Sequence, residues 1–135
     1  MWLTTKTTDR FCLVYEGDDA VNADGDEWIP ADRADYVEGK KADKFFCRPL
    51  NADECFRIIQ ATQRDSSFIA FASHLGVVKI ECDGRSIEDA DQIKEILDNA
   101  QNMGPILKLS NAIFQVSREG LDALPFRDSG VTVER

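Results

Sequence analysis

Residues 42–64 read ADKFFCRPLNADECFRIIQATQR, and the way this stretch divides decides the fold. Lys44 to Arg48 is rich in aromatic residues, which suit a pleated, half-buried surface. Pro49 removes a backbone donor and pushes Arg48 toward an extended conformation, so a strand should stop there. Asn51 is a good helix N-cap, and Glu54 three residues on completes a capping box. Cys55, Ile58, Ile59 and Thr62 then follow i, i+3, i+4, i+7 spacing and share one helix face. The stretch therefore predicts a strand, a corner and a helix over 52–63 that lies on whatever sheet the chain builds.

Toward the N-terminus, Phe11, Leu13 and Tyr15 point one way and Cys12 and Val14 the other. A strand apolar on both faces is either covered on both sides or sits at an interface. Residues 17–26, GDDAVNADGD, read as an irregular acidic loop in which Asp24-Gly25 is a hairpin signal. With Gly25 at the sixth position of a calcium loop, Ala20 and Ala31 fall at the first and twelfth, so the bidentate glutamate is missing. Between Glu27 and Asp43, Pro30 confines any strand to an edge or a bulge, and Trp28, like Trp2, reads as exposed. Gly39-Lys40 fails as a phosphate loop, because Ala34 stands where the first glycine should be and Lys41 where Ser or Thr is needed.

Beyond residue 64, Asp65 can cap a second helix striped by Phe68, Phe71, Ala72 and Leu75, with Gly76 as its left-handed end. Val78, Ile80 and Cys82 alternate with Lys79 and Glu81 in a later strand that Asp83-Gly84 ends. Ser86 with Asp89 opens a third helix buried through Ile87, Ala90, Ile93, Leu97 and Ala100. Pro105 starts a fourth, striped by Ile106, Leu109, Ile113 and Val116, with Gly120 at a frayed end. Val131 to Val133 would suit an edge strand in an otherwise loose tail over 120–135. The sum is an α+β fold. One domain over 1–135 has N-terminal antiparallel strands, then about four short helices and one further strand.

Composition bounds function. Lys plus Arg total 16 and Asp plus Glu 25, so the net charge is 16 − 25 = −9. Phosphate contacts need clustered cations, so nucleic acid is not an expected partner. No apolar run is long enough to span a membrane, and no basic-then-apolar leader opens the chain, which places it in a cytoplasm. Cys12, Cys47, Cys55 and Cys82 are widely spaced, so buried reduced thiols are expected rather than a zinc site. The single histidine, His74, has only Ser73 nearby in sequence, and helix neighbours do not face each other. It reads as structural. No catalytic residue, cofactor or metal ligand is expected. The apolar residues Phe11, Leu13, Tyr15, Trp28, Ile106, Leu109, Ile113 and Val116 are the candidate interaction surface for a protein partner, with homo-oligomerisation possible.

Arg48-Pro49-Leu50 before a capped helix, the Gly-Val-Val strand at 76–78, an acidic helix and ILKLSNAIFQVS at 106–117 resemble the small tail-assembly chaperones of long-tailed bacteriophages. The resemblance covers residues 45–117. It implies a non-catalytic protein in the host cytoplasm that keeps a tape-measure or tail-tube protein soluble until the tail is built. The alternative is a phage virion structural protein (a decoration, neck or head–tail joining protein), and less so a small acidic inhibitor of a host enzyme.

Overall fold

A computed structural model describes residues 9–100 and 103–119. Its elements are β1 (Phe11–Tyr15), β2 (Trp28–Pro30), a 3-10 turn (Ala31–Arg33), β3 (Lys44–Cys47), α1 (Ala52–Thr62) and a 3-10 segment (Ser66–Ala70). There follow α2 (Phe71–Gly76), β4 (Val77–Cys82), β5 (Arg85–Ile87), α3 (Ala90–Asp98) and α4 (Met103–Glu119). The strands form one antiparallel sheet in the order β2-β1-β3-β4-β5, so the fold is α+β in one domain. Trp2, Gly120 and residues 131–133 lie outside the described residues, as does the side chain of Phe68.

The strand–corner–helix reading of residues 42–64 holds. Asn51 Oδ1 accepts from the Glu54 amide at 2.8 Å, and Glu54 Oε1 accepts from the Asn51 amide at 2.9 Å, a complete capping box. The Arg48 guanidinium grips both oxygens of the same carboxylate at 3.0 and 2.8 Å, tying the end of β3 to the first turn of α1. Contrary to expectation, α1 packs chiefly on the 3-10 segment and α2 rather than on the sheet. The helices laid on the strands are α4 against β2, and α2 and α3 against β4.

That grip makes a pH prediction. The Arg48 guanidinium, helped by the Asn51 amide, holds the Glu54 carboxyl below its ordinary value of 4.5. A carboxylate depressed in the folded state adds stability that is complete above its unfolded pKa and is lost as pH falls through the folded value. Glu54→Gln keeps the capping box but removes the charge, so it should cost about 1 kcal/mol at neutral pH. The gap between variant and wild type in urea unfolding should shrink below pH 4.5 and then close. An equal gap at neutral and strongly acidic pH would contradict the assignment.

Two strands depart from simple alternation. Between Phe46↔Lys79 and Cys47↔Val77 the register shifts, leaving Val78 as the extra residue of a bulge. Val77 and Ile80, three residues apart, are therefore both buried, and Val77 takes the inward place expected of Val78. Asp83 and Gly84, at φ of 51° and 74°, make the two-residue turn of a β4–β5 hairpin. Ser86 thus belongs to a strand, and Asp89 alone caps α3, accepting from the Asp91 amide at 2.9 Å.

The two-sided apolar character of β1 is explained by cover on both faces. Phe11 and Leu13 face the main core under the helices, whereas Val14 meets Ala20, Val21, Ile29 and Ala42 on the opposite face. The β1–β2 hairpin expected from Asp24-Gly25 is closed not by a tight turn but by residues 16–27, which fold back over the sheet. Asp18 fastens this cover, its carboxylate accepting from the Ala20 and Asp43 amides at 2.9 and 3.0 Å. β2 is an edge strand, as Pro30 requires, but a buried one. No described helix is long and apolar enough to cross a membrane.

Candidate functional site

Six of the eight residues read as a partner surface lie in the core: Phe11, Leu13, Trp28, Leu109, Ile113 and Val116. Tyr15 and Ile106 are half-buried and pack against the same cluster. The reason is geometric. A helix stripe and the inward row of a strand carry the same pattern whether they meet each other or a partner, and here α4 meets the sheet. Trp28 is covered rather than exposed: its indole N–H donates to the Pro105 carbonyl at 2.8 Å, and its ring sits 5.2 Å from Tyr15 and 5.0 Å from Phe45.

Exposed apolar residues occur elsewhere, and α2 shows why. Its buried residues are Ala72, Ser73 and Gly76, not the Phe71 and Leu75 of the expected stripe. Gly76 does not take a left-handed φ either. Its role is close approach, since a Cβ there would stand 2.6 Å from Ile113 Cγ2. Ser110 Oγ of α4 accepts from the Ser73 amide at 3.2 Å and donates to the Ala70 carbonyl at 3.3 Å. Small residues bring α2 down onto α4, and that rotation turns Phe71 and Leu75 outward at 45% and 41% exposure. Neighbouring α1 adds Phe56, at 65%, and Ile59, while α3 adds Ile96. Three adjacent helices thus present large apolar side chains to solvent.

His74 is a structural tie. Its Nε2 lies 2.9 Å from Asp98 Oδ1, linking α2 to α3, and its ring packs against Phe71. Lys94 and His74 together hold the Asp98 carboxyl below its ordinary value. The four cysteines are free thiols, with Cys47 and Cys55 buried and Cys12 and Cys82 half-buried. Burial pushes the Cys12, Cys47 and Cys55 thiols up, which disfavours the nucleophilic thiolate. Among the described residues, no group of three or more His, Cys, Asp or Glu side chains is placed to hold a metal ion.

A cleft of about 580 Å³ opens where β3 begins and the β4–β5 hairpin turns, walled on its other side by the chain from Tyr36 to Ala42. Lys40, Lys41, Lys44 and Arg85 line it together with Glu81, Asp83 and Ser86. Sequence reasoning missed this grouping because it depends on pairing β3 with β4, which brings Lys44 opposite Glu81. Gly39, at φ 81°, turns the chain just before the lysine pair. The Tyr36 hydroxyl is already committed, donating to the Ala31 carbonyl at 2.6 Å. Comparison with protein-family models, with curated proteins and with solved structures finds no match for this chain.

Proposed function

We propose that this protein is a non-catalytic assembly protein of a long-tailed bacteriophage, tail-assembly chaperone-like, which keeps a tail component soluble by covering an apolar segment of it. The observation that carries this reading is the outward rotation of α2. Phe71 and Leu75 of α2 are exposed, as are Phe56 and Ile59 of the neighbouring α1 and Ile96 of the neighbouring α3, while the core is filled without them. An exposed group of this kind in a small domain suits a partner that brings its own apolar segment. The net charge of −9 would keep such a complex dispersed. The order of motifs along residues 45–117 points to the same family of partners.

Light scattering on the protein alone, and after co-expression with a tape-measure or tail-tube protein, tests the function. The expected result is a soluble complex with a partner that is insoluble by itself. A self-associated ring or trimer that rescues no such partner would overturn it and favour a structural protein of the virion.

A further inference from the structure

The cleft at the open end of β3–β5 poses a charge problem separate from the helical face. In an acidic chain, Arg48, Arg57, Lys79, Lys94, Lys108 and Arg118 each hold a carboxylate. Lys40, Lys41, Lys44 and Arg85 hold none among the described residues, and all four border the one cleft. Of the two carboxylates on its rim, Glu81 is engaged by Lys79 at 3.2 Å. Asp83, the other rim carboxylate, lies near Asp43, whose carboxyl is pushed up by burial and by Asp18 and Asp83.

We propose that this cleft binds a small ligand bearing a diphosphate group. Its volume of about 580 Å³ falls in the range of small-molecule sites. Arg85 offers the planar fork that matches two phosphate oxygens, and the three lysines offer mobile point charges. Ser86 adds a neutral donor from the hairpin. Lys44↔Glu81, Glu81↔Ser86 and Cys82↔Arg85 pair across the strands beside the cleft, with β5 at the edge of the sheet. A compact, highly charged oxyanion needs only the side chains found here, whereas an extended acidic peptide would have to pair along the exposed edge of β5.

Isothermal titration calorimetry at low ionic strength, with inorganic pyrophosphate, ADP and a hexaglutamate peptide, tests the proposal. Pyrophosphate should bind one to one, with affinity falling as salt is added. Arg85→Ala and Lys44→Ala should each weaken it by about tenfold or more, and Arg85→Lys by less, because lysine lacks the fork. Equal binding of ADP would support a nucleotide or similar ester as the source, and binding of pyrophosphate alone the free ion. Thermal melts of the variants should match wild type, since no described ion pair is lost. Absence of pyrophosphate binding, pyrophosphate affinity unchanged in Arg85→Ala, or binding of hexaglutamate in its place would each overturn the proposal.

Discussion

Replacing Trp28 by alanine should lower the free energy of unfolding by about 3–5 kcal/mol, the usual cost of deleting a buried aromatic side chain. Trp28 is 4% exposed and joins three parts of the molecule. Its ring meets Tyr15 of β1 and, edge to face, Phe45 of β3, while its indole N–H reaches the Pro105 carbonyl at the start of α4. Lys108 reinforces the same junction from outside, its ammonium 2.6 Å from Asp26 just ahead of β2. Trp28→Phe keeps most of the apolar area and loses the hydrogen bond, so it should cost about 1–2 kcal/mol. Denaturant unfolding monitored by circular dichroism measures both. A domain of this size has a total stability of about 5–15 kcal/mol, so the alanine variant should be near the edge of folding. A loss below about 1 kcal/mol would show that Trp28 is not the core residue described, because surface changes fall in that range.

The second large effect concerns the seam between α2 and α4. A methyl on residue 76 would meet Ile113 Cγ2 at 2.6 Å and Cδ1 at 3.2 Å, with the Arg48 carbonyl at 3.4 Å on the far side. Ile113 is fully buried, and Gly76 N-terminal to β4 also supplies the carbonyl that accepts from the Arg48 amide at 2.8 Å. Gly76→Ala should therefore destabilise by about 1–3 kcal/mol, although alanine is the better helix former. Ile113→Ala alone should cost about 2–5 kcal/mol. In the double variant the new methyl enters the space that Ile113 vacates, so the combined loss should fall short of the sum by about 1 kcal/mol or more. Strictly additive losses would mean that the two residues do not meet.

The parts of this fold that were legible in the sequence are those fixed locally. The Asn51–Glu54 capping box needs only four residues to declare itself, and it is present atom for atom. Ile93 and Leu97 of α3, and Leu109, Ile113 and Val116 of α4, are buried as their spacing requires. What escaped is what tertiary contacts decide. The rotation of α2 depends on how closely α4 lies, so the larger residues Phe71 and Leu75 lost the core to Ala72, Ser73 and Gly76. The Val78 bulge depends on how β3 pairs, and β5 is three residues with no period to read. Most of the residues read as a candidate interaction surface are core for the same reason. An amphipathic stripe says that a face must be covered, but not whether the cover is the protein's own sheet. Trp28 shows the limit from the other side, since an edge strand broken by Pro30 is still buried when α4 and residues 16–27 close over it.

The proposed contact is between the partner and the outward apolar residues of α1 and α2, not the core stripes. The direct test is the soluble yield of a co-expressed tape-measure or tail-tube protein with wild type and with a Phe56→Ser, Phe71→Ser, Leu75→Ser triple variant. These side chains are exposed at 65%, 45% and 41%, so the variant should fold, with a melt lowered only modestly by loss of the Phe71–His74 contact. Wild type should keep the partner soluble, and the folded triple variant should not. A triple variant that rescues the partner as well as wild type would contradict it.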